Sequence, residues 1–385
     1  MTTQTSALAK PSRVDCFDSV RDAFYDLFAD PDEVGAALCV VVDGRIVIDL
    51  WGGHADRRRR REWERDTVVN IFSAGKGALA VAVQILVDRG QLDLEAPVAR
   101  YWPEFGVAGK SSVLVGHLLD HRAGLPALRT WLPDGSLYSW DTMVGHLAAE
   151  EPWWEPGTRH GYHPVTFGWL VGELIRRVDG RRVRDFLCDE VSGPLGLGLT
   201  VGAGQVESAR IAAVVEQSDG DQALTSVFED LPEITRKAFA NPPELLTPGL
   251  VNRPACRAAE IPAVNVHASA RDLALLYATL ADGHRPAGLL SRAAAARVQA
   301  ERVAGPDAVL GLDSRFGLGL MLPSPLRPFG KGSAVAGHSG AGGSLGFVDA
   351  DARLGFGFVV NRALASGVGG DPRWAAITDA VYSCL

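Results

Sequence analysis

Cysteine is scarce and unpatterned in this chain. Cys16, Cys39, Cys188, Cys256 and Cys384 are five among 385 residues, an odd number, widely scattered and without a CxxC pair. That pattern fits reduced thiols in a cytoplasmic protein and not a disulfide framework. Positive charge is also short, and a formal net charge of −8 gives no general attraction to nucleic acid or an anionic membrane. The one basic run, Arg57 to Arg61, is followed at once by Glu62, Glu64 and Asp66 and reads as a solvated loop. No apolar stretch is long enough to span a bilayer, and Met1 to Ser6 has neither the basic nor the apolar region of a signal peptide. There is no glycine loop for phosphate ahead of a helix, and no HExxH signature. His117 and His121 share i, i+4 spacing, but no acidic residue stands in the HExxH position and no third ligand is evident. They read as ordinary hydrogen-bonded histidines, so no metal and no cofactor are expected.

What is present describes an ordinary globular protein with a large core, 47% apolar and 22% charged. Residues 1–12 read as a loose leader. Phe17, Val20, Phe24 and Leu27 form the stripe of an amphipathic helix. Two strands follow, Ala36 to Val42 and Arg45 to Leu50, around an Asp43-Gly44 turn. A very apolar helix runs through Leu79 to Val87 and stops at Gly90. Helical patterns fill Thr142 to Ala149, Val165 to Val178 and Val183 to Val191, then prolines accumulate from about Gly202 to Ile261. Ser269 with Asp272 predicts a capped helix to Leu280, and Ser291 to Val303 reads as helix. Strands are expected at Ser314–Leu322, Ala334–Gly337, Ser344–Val348 and Leu354–Val360, and a closing helix at Trp374–Cys384. Strands at both ends with helices between predict an α/β (α+β) fold: one antiparallel sheet built from residues 13–105 and 263–385, flanked by helices that include both terminal ones. A mostly helical lobe, 106–262, is inserted, with a substrate wall at about 203–262.

Three stretches carry chemistry. Ser73 and Lys76 are three apart at the mouth of the apolar helix and share one face. A serine needs a base to become a nucleophile, and a buried lysine has the lowered pKa for it. An N-cap serine and a snorkelling lysine would look the same. Tyr162 stands at the mouth of another helix, where a phenol acidified by Lys76 would share the serine's proton. From Gly337 to Gly346 a glycine-rich strand would let a ligand approach the backbone, and its N–H with that of Ser73 would make an oxyanion hole. Gly342-Gly343-Ser344-Leu345-Gly346 fits the GxSxG elbow, but strand and not helix is expected after Ser344, so that serine reads as structural.

Ser73-Ala74-Gly75-Lys76, Tyr162 and His338-Ser339-Gly340, in this order and spacing, resemble the serine β-lactamase and penicillin-binding-protein superfamily. The match is most like its esterase branch, the family VIII carboxylesterases related to class C β-lactamases. The resemblance implies a β-lactamase/transpeptidase-like fold, with Ser73 as acylated nucleophile, Lys76 as base and Tyr162 as second acid/base group. It implies an oxyanion hole from the N–H groups of Ser73 and Ala341, and substrate binding by His338, Ser339 and Gly340. His338 stands where the superfamily usually has a carboxylate-anchoring lysine, and Tyr162-His163-Pro164 replaces its Tyr-x-Asn. Both departures turn the expectation from lactams toward small carboxylic esters. An acyltransferase with an alcohol or amine acceptor would use the same acyl-enzyme, and a non-catalytic binding module on this fold is the third reading. Trp131, Trp140, Trp153 and Trp154 are candidate pocket linings. The expected partner is a small acyl ester or amide, with no nucleic acid or membrane; oligomeric state and acyl group stay open.

Overall fold

The Asp43-Gly44 turn takes positive φ at both residues, 51° and 74°, the geometry that joins two strands in a tight hairpin. It links β1 (Gly35–Val42) to β2 (Arg45–Gly53) in the computed structural model, which describes residues 13–216, 230–281, 289–364 and 370–385. The leader expected at 1–12, and residues 217–229 of the expected substrate wall, lie outside them. Ahead of the hairpin stands α1 (Arg13–Tyr25). After it come the short β3 (Val69–Asn70) and the buried α2 (Lys76–Asp88). The middle of the chain is helical, with α3 (Val115–Leu119), α4 (Trp140–Ala149), α5 (Thr166–Asp179) and α6 (Val183–Leu187). Two-residue strands β4 (Thr200–Val201) and β5 (Val215–Glu216) lead to α7 (Glu233–Ala240) and α8 (Pro254–Ala258). Next are β6 (Val266–Ala268), α9 (Ala270–Ala278) and α10 (Arg292–Gln299). The chain closes with β7 (Val303–Pro306), β8 (Asp313–Phe316), β9 (Val335–Ser339), β10 (Leu345–Asp349), β11 (Leu354–Val360), β12 (Arg362–Ala363) and α11 (Arg373–Ser383).

The main sheet has the order β2-β1-β11-β10-β9 and is antiparallel throughout. Strands from the two ends of the chain therefore meet at its centre, Leu38 opposite Phe358. Alternation along β1 divides two layers. Ala36, Leu38 and Val40 face a cluster with Phe24 of α1 and Trp374 and Ile377 of α11. Ala37, Cys39 and Val41 face the larger cluster that holds α2, α5 and Leu273 of α9. Burying each such large side chain contributes about 1.5–3 kcal/mol. Gly357 lets α9 lie directly on the sheet, since a Cβ there would stand 2.1 Å from the Ala270 carbonyl oxygen. The capping box expected at Ser269 and Asp272 is formed.

Three expectations are corrected. The helix from Ser291 stops at Gln299, and Val303 begins β7, which pairs with β8. The strand expected over Ser314–Leu322 ends at Phe316, because the Gly317 N–H closes a turn onto the Leu320 carbonyl with Gly319 at φ 88°. Finally, Cys39, Cys188 and Cys256 are free, but Cys384 is disulfide-bonded, so the thiols are not all reduced. Among the described residues no helix is long and apolar enough to cross a membrane.

Candidate active site

β3 brings the chain to the centre of the molecule by pairing with β6, and the Ile71 N–H continues that pairing to the Val266 carbonyl. Phe72 then turns the backbone sharply with φ 49°, a left-handed conformation costly for an aromatic residue. Its N–H is held by Asn70 Oδ1 at 2.8 Å. Ser73 follows in a 3₁₀ turn, half-buried, directly ahead of α2. Lys76 is the first residue of α2 and is fully buried.

The Lys76 amine has three oxygen neighbours: Ser73 Oγ at 2.9 Å and the carbonyls of Pro164 at 2.8 Å and Ala263 at 3.3 Å. Burial alone pushes its pKa well below the ordinary lysine value. A neutral amine has two N–H groups and one lone pair. As an ammonium Lys76 donates to Ser73 Oγ; once it is neutral, the two carbonyls, which can only accept, take both N–H groups and leave the lone pair for the Ser73 hydroxyl. Pro164, where the superfamily pattern has asparagine, thus holds the Lys76 amine through its carbonyl.

Tyr162 is buried, its hydroxyl hydrogen-bonded to the Ser73 side chain. Its ring stacks on Phe316 with centroids 5.9 Å apart and lies edge-on to His121 at 5.2 Å. The Lys76 amine is 5.0 Å from the ring centroid. The expectation of an acidified phenol is reversed. Burial raises the Tyr162 pKa well above the ordinary phenol value, against the smaller lowering by Ser73 and Arg327. His163 is structural: Nδ1–H donates to the Gly161 carbonyl at 2.7 Å, and Nε2 accepts from Leu125 N–H at 3.1 Å. Burial pushes its pKa down to about 4.

β9 forms the opposite wall. Gly340 rests on the residue two before the serine, so closely that a Cβ would be 2.1 Å from the Ile71 carbonyl oxygen. Gly342 lies against the Phe72 ring. Ala341 lies between them at the exposed tip of this turn, which packs on Ile71 and Phe72 just ahead of Ser73. His338 is buried, 5.9 Å from Tyr162 between ring centroids, with Nδ1–H donating to the Ser339 carbonyl at 2.8 Å. Burial holds its pKa well below the histidine range, so the ring is neutral. Ser339 is half-buried on the same strand. Ser73, Lys76, Tyr162 and the strand from His338 to Ala341 are thus brought together. Ser344 is buried and leads straight into β10, without the helix of a nucleophile elbow.

Of the tryptophans, Trp154 borders this region, edge-on to His163 at 6.2 Å. Trp140 instead donates its indole N–H to Glu173 at 2.8 Å, tying α4 to α5. Arg327, between β8 and β9, went unread in the sequence; its charge acts on both Tyr162 and His338. Pro325-Leu326-Arg327-Pro328 carries no motif that would have singled it out. Among the described residues no cluster of side chains could hold a metal ion.

The Beta-lactamase family model matches residues 20–380. Esterase/beta-lactamase LipL of Mycobacterium tuberculosis is 35% identical over 360 residues, covering 91% of this chain and 82% of LipL. The crystal structure of a family VIII carboxylesterase superposes with a TM-score of 0.86 at 37% identity, over 96% of this chain and 98% of the other. A penicillin-binding-protein homologue from Caulobacter crescentus gives a TM-score of 0.86 at 34% identity, over 98% and 99% of the two chains.

Proposed function

The chain belongs to the Beta-lactamase family and has its fold, and on that premise we propose that Ser73, Lys76 and Tyr162 perform its ester hydrolysis through an acyl-Ser73 intermediate. The protein is a serine hydrolase of carboxylic esters. The observation that carries the residue assignment is the buried Lys76 amine 2.9 Å from Ser73 Oγ, with the carbonyls of Pro164 and Ala263 as its other neighbours.

In acylation Ser73 Oγ attacks the ester carbonyl carbon while its proton passes to Lys76 Nζ. The carbonyl oxygen, now carrying the negative charge, sits between the N–H of Ser73, in the turn ahead of α2, and that of Ala341, in the turn after β9. The C–O bond to the alcohol then breaks. Tyr162, kept protonated by burial, gives its proton to the departing alkoxide and is refilled from Lys76. Deacylation runs the relay backwards: water takes the alcohol's place, its proton enters through Tyr162, and a proton ends on Ser73 as the acid leaves. His338, neutral and buried, supplies no charge for a substrate carboxylate, which supports esters over β-lactams. His338, Ser339 and Gly340 border the substrate instead.

Ser73→Ala should abolish turnover and labelling by a fluorophosphonate. Intact mass after exposure to activated acyl donors should show one acyl adduct on the native protein and none on the variant. Persistent labelling of the variant would remove Ser73 from the mechanism. The same spectra with an added alcohol or amine would separate hydrolysis from acyl transfer.

A further inference from the structure

Tyr162 has to hold its hydroxyl against Ser73, yet it lies in an irregular stretch, 159–163, that belongs to no helix or strand. Regular hydrogen bonding therefore does not hold its backbone in place. His121 anchors the neighbours of Tyr162, its carbonyl accepting from Gly161 N–H at 3.1 Å and its Nδ1 from His163 N–H at 3.2 Å; the N–H of Tyr162 itself is held by Asp307, between β7 and β8. The Tyr162 N–H points at this carboxylate, 3.0 Å from Oδ1 and 3.1 Å from Oδ2. Asp307 is 3% exposed, and burying a carboxylate costs several kcal/mol unless donors surround it. Three more do: the N–H groups of Val309 and Leu310, each at 2.9 Å, and the Ser314 hydroxyl at 2.7 Å. His160 Nε2 lies 3.0 Å from Ser314 Oγ, and the Ala308 N–H bonds the His160 carbonyl. The loop bonds alone would make a local turn. The bonds to 160 and 162 are long-range, and they lock the β7–β8 loop onto the segment that carries the phenol.

We propose that Asp307 is a positioning residue of the reaction, holding Tyr162 so that its O–H meets Ser73 and the departing alkoxide. The inference rests on the reading of Tyr162 as proton donor. The negative charge of Asp307 also disfavours a phenolate at Tyr162 and so helps to keep the proton there. Placement errors of about 1 Å in such a group lower rates by about 10²-fold.

The test is a double-mutant comparison on two esters of one acyl group, one with an alkoxide and one with a p-nitrophenolate leaving group. Asp307→Asn keeps the shape but replaces an acceptor by a donor. It should lower kcat/KM, which reports acylation and not the deacylation the two esters share, by about 30–100-fold on the alkyl ester. On the nitrophenyl ester, whose leaving group needs no proton, the loss should be under about 5-fold. In the Tyr162→Phe background the same change should cost no more than about 2-fold, because the group it positions is gone. Losses that multiply in the double variant, or that are equal on the two esters, would overturn the role of Asp307. An undiminished kcat/KM on the alkyl ester in Asp307→Asn would do the same. A fully active Tyr162→Phe would instead overturn the assignment of Tyr162, and the role of Asp307 with it. If Asp307→Asn does not fold, Ser314→Ala loosens the carboxylate from its far side. It should show a milder loss, about 3–10-fold, with the same dependence on leaving group; absence of that dependence would count against the proposal.

Discussion

At the scale of single residues, the chemistry turns on two protonation states. Lys76 can act as a base only when neutral, and burial holds its pKa well below that of a free lysine. Below the lowered pKa it is an ammonium with no lone pair, and above it the lone pair faces Ser73. The rate of acylation should therefore rise with pH and level off well before the pH at which a free lysine loses its proton. A pH profile of kcat/KM gives that limb directly, and a rise that continues to the free-lysine range would contradict a buried neutral base. Tyr162→Phe should lower kcat by about 10²–10⁴-fold, the range for loss of a general acid–base group, most severely for alkyl esters. The Ser73–Lys76 pair was legible in the sequence because residues three apart must share a helix face. The direction of the Tyr162 pKa was not. A string of letters shows that a lysine and a tyrosine exist, but not that water is excluded from both.

At the scale of elements, the site is a seam between the turn at Ser73 and the edge strand β9, and one side chain stitches it. The Tyr277 hydroxyl, on α9, is bonded by the His338 backbone and reaches the Ala74 carbonyl at 3.5 Å. Tyr277→Phe keeps the ring and removes both links. It should lower kcat about tenfold and stability by about 1 kcal/mol, readable from kinetics and urea denaturation. Gly340→Ala should be harsher, because its Cβ would stand 2.1 Å from the Ile71 carbonyl oxygen and force strand and nucleophile apart. Activity should fall more than about 10²-fold while circular dichroism keeps its native shape. The strands and the buried helix were readable because apolar periodicity and the Asp43-Gly44 turn are local signals. β7 was not, since Val303-Ala304-Gly305-Pro306 has no strand pattern and exists by pairing with β8. That unread strand is what carries the chain to Asp307.

At the scale of the whole molecule, the two ends of the chain close on the site from behind. Arg373 of α11 is buried between Asp371, at 2.6 and 2.8 Å, and Glu33 ahead of β1, at 3.0 Å. The Trp374 indole donates to the Gly343 carbonyl at 2.8 Å, in the turn that carries Ala341. Arg373→Met would leave two buried carboxylates unpaired, and breaking such a pair costs about 3–5 kcal/mol. The melting temperature should fall by several degrees, and an unchanged one would mean the ion group is not stabilising. Sequence by itself determined the pairing of Ser73 with Lys76, the hairpin, and a sheet completed from both termini, because spacing and alternation are properties of the chain. Only the tertiary structure decided that burial lowers the Lys76 pKa and raises that of Tyr162, and that Asp307 and Arg327 act on Tyr162. Those facts depend on solvent exclusion and on charges brought together across the fold, and neither is written in the order of residues.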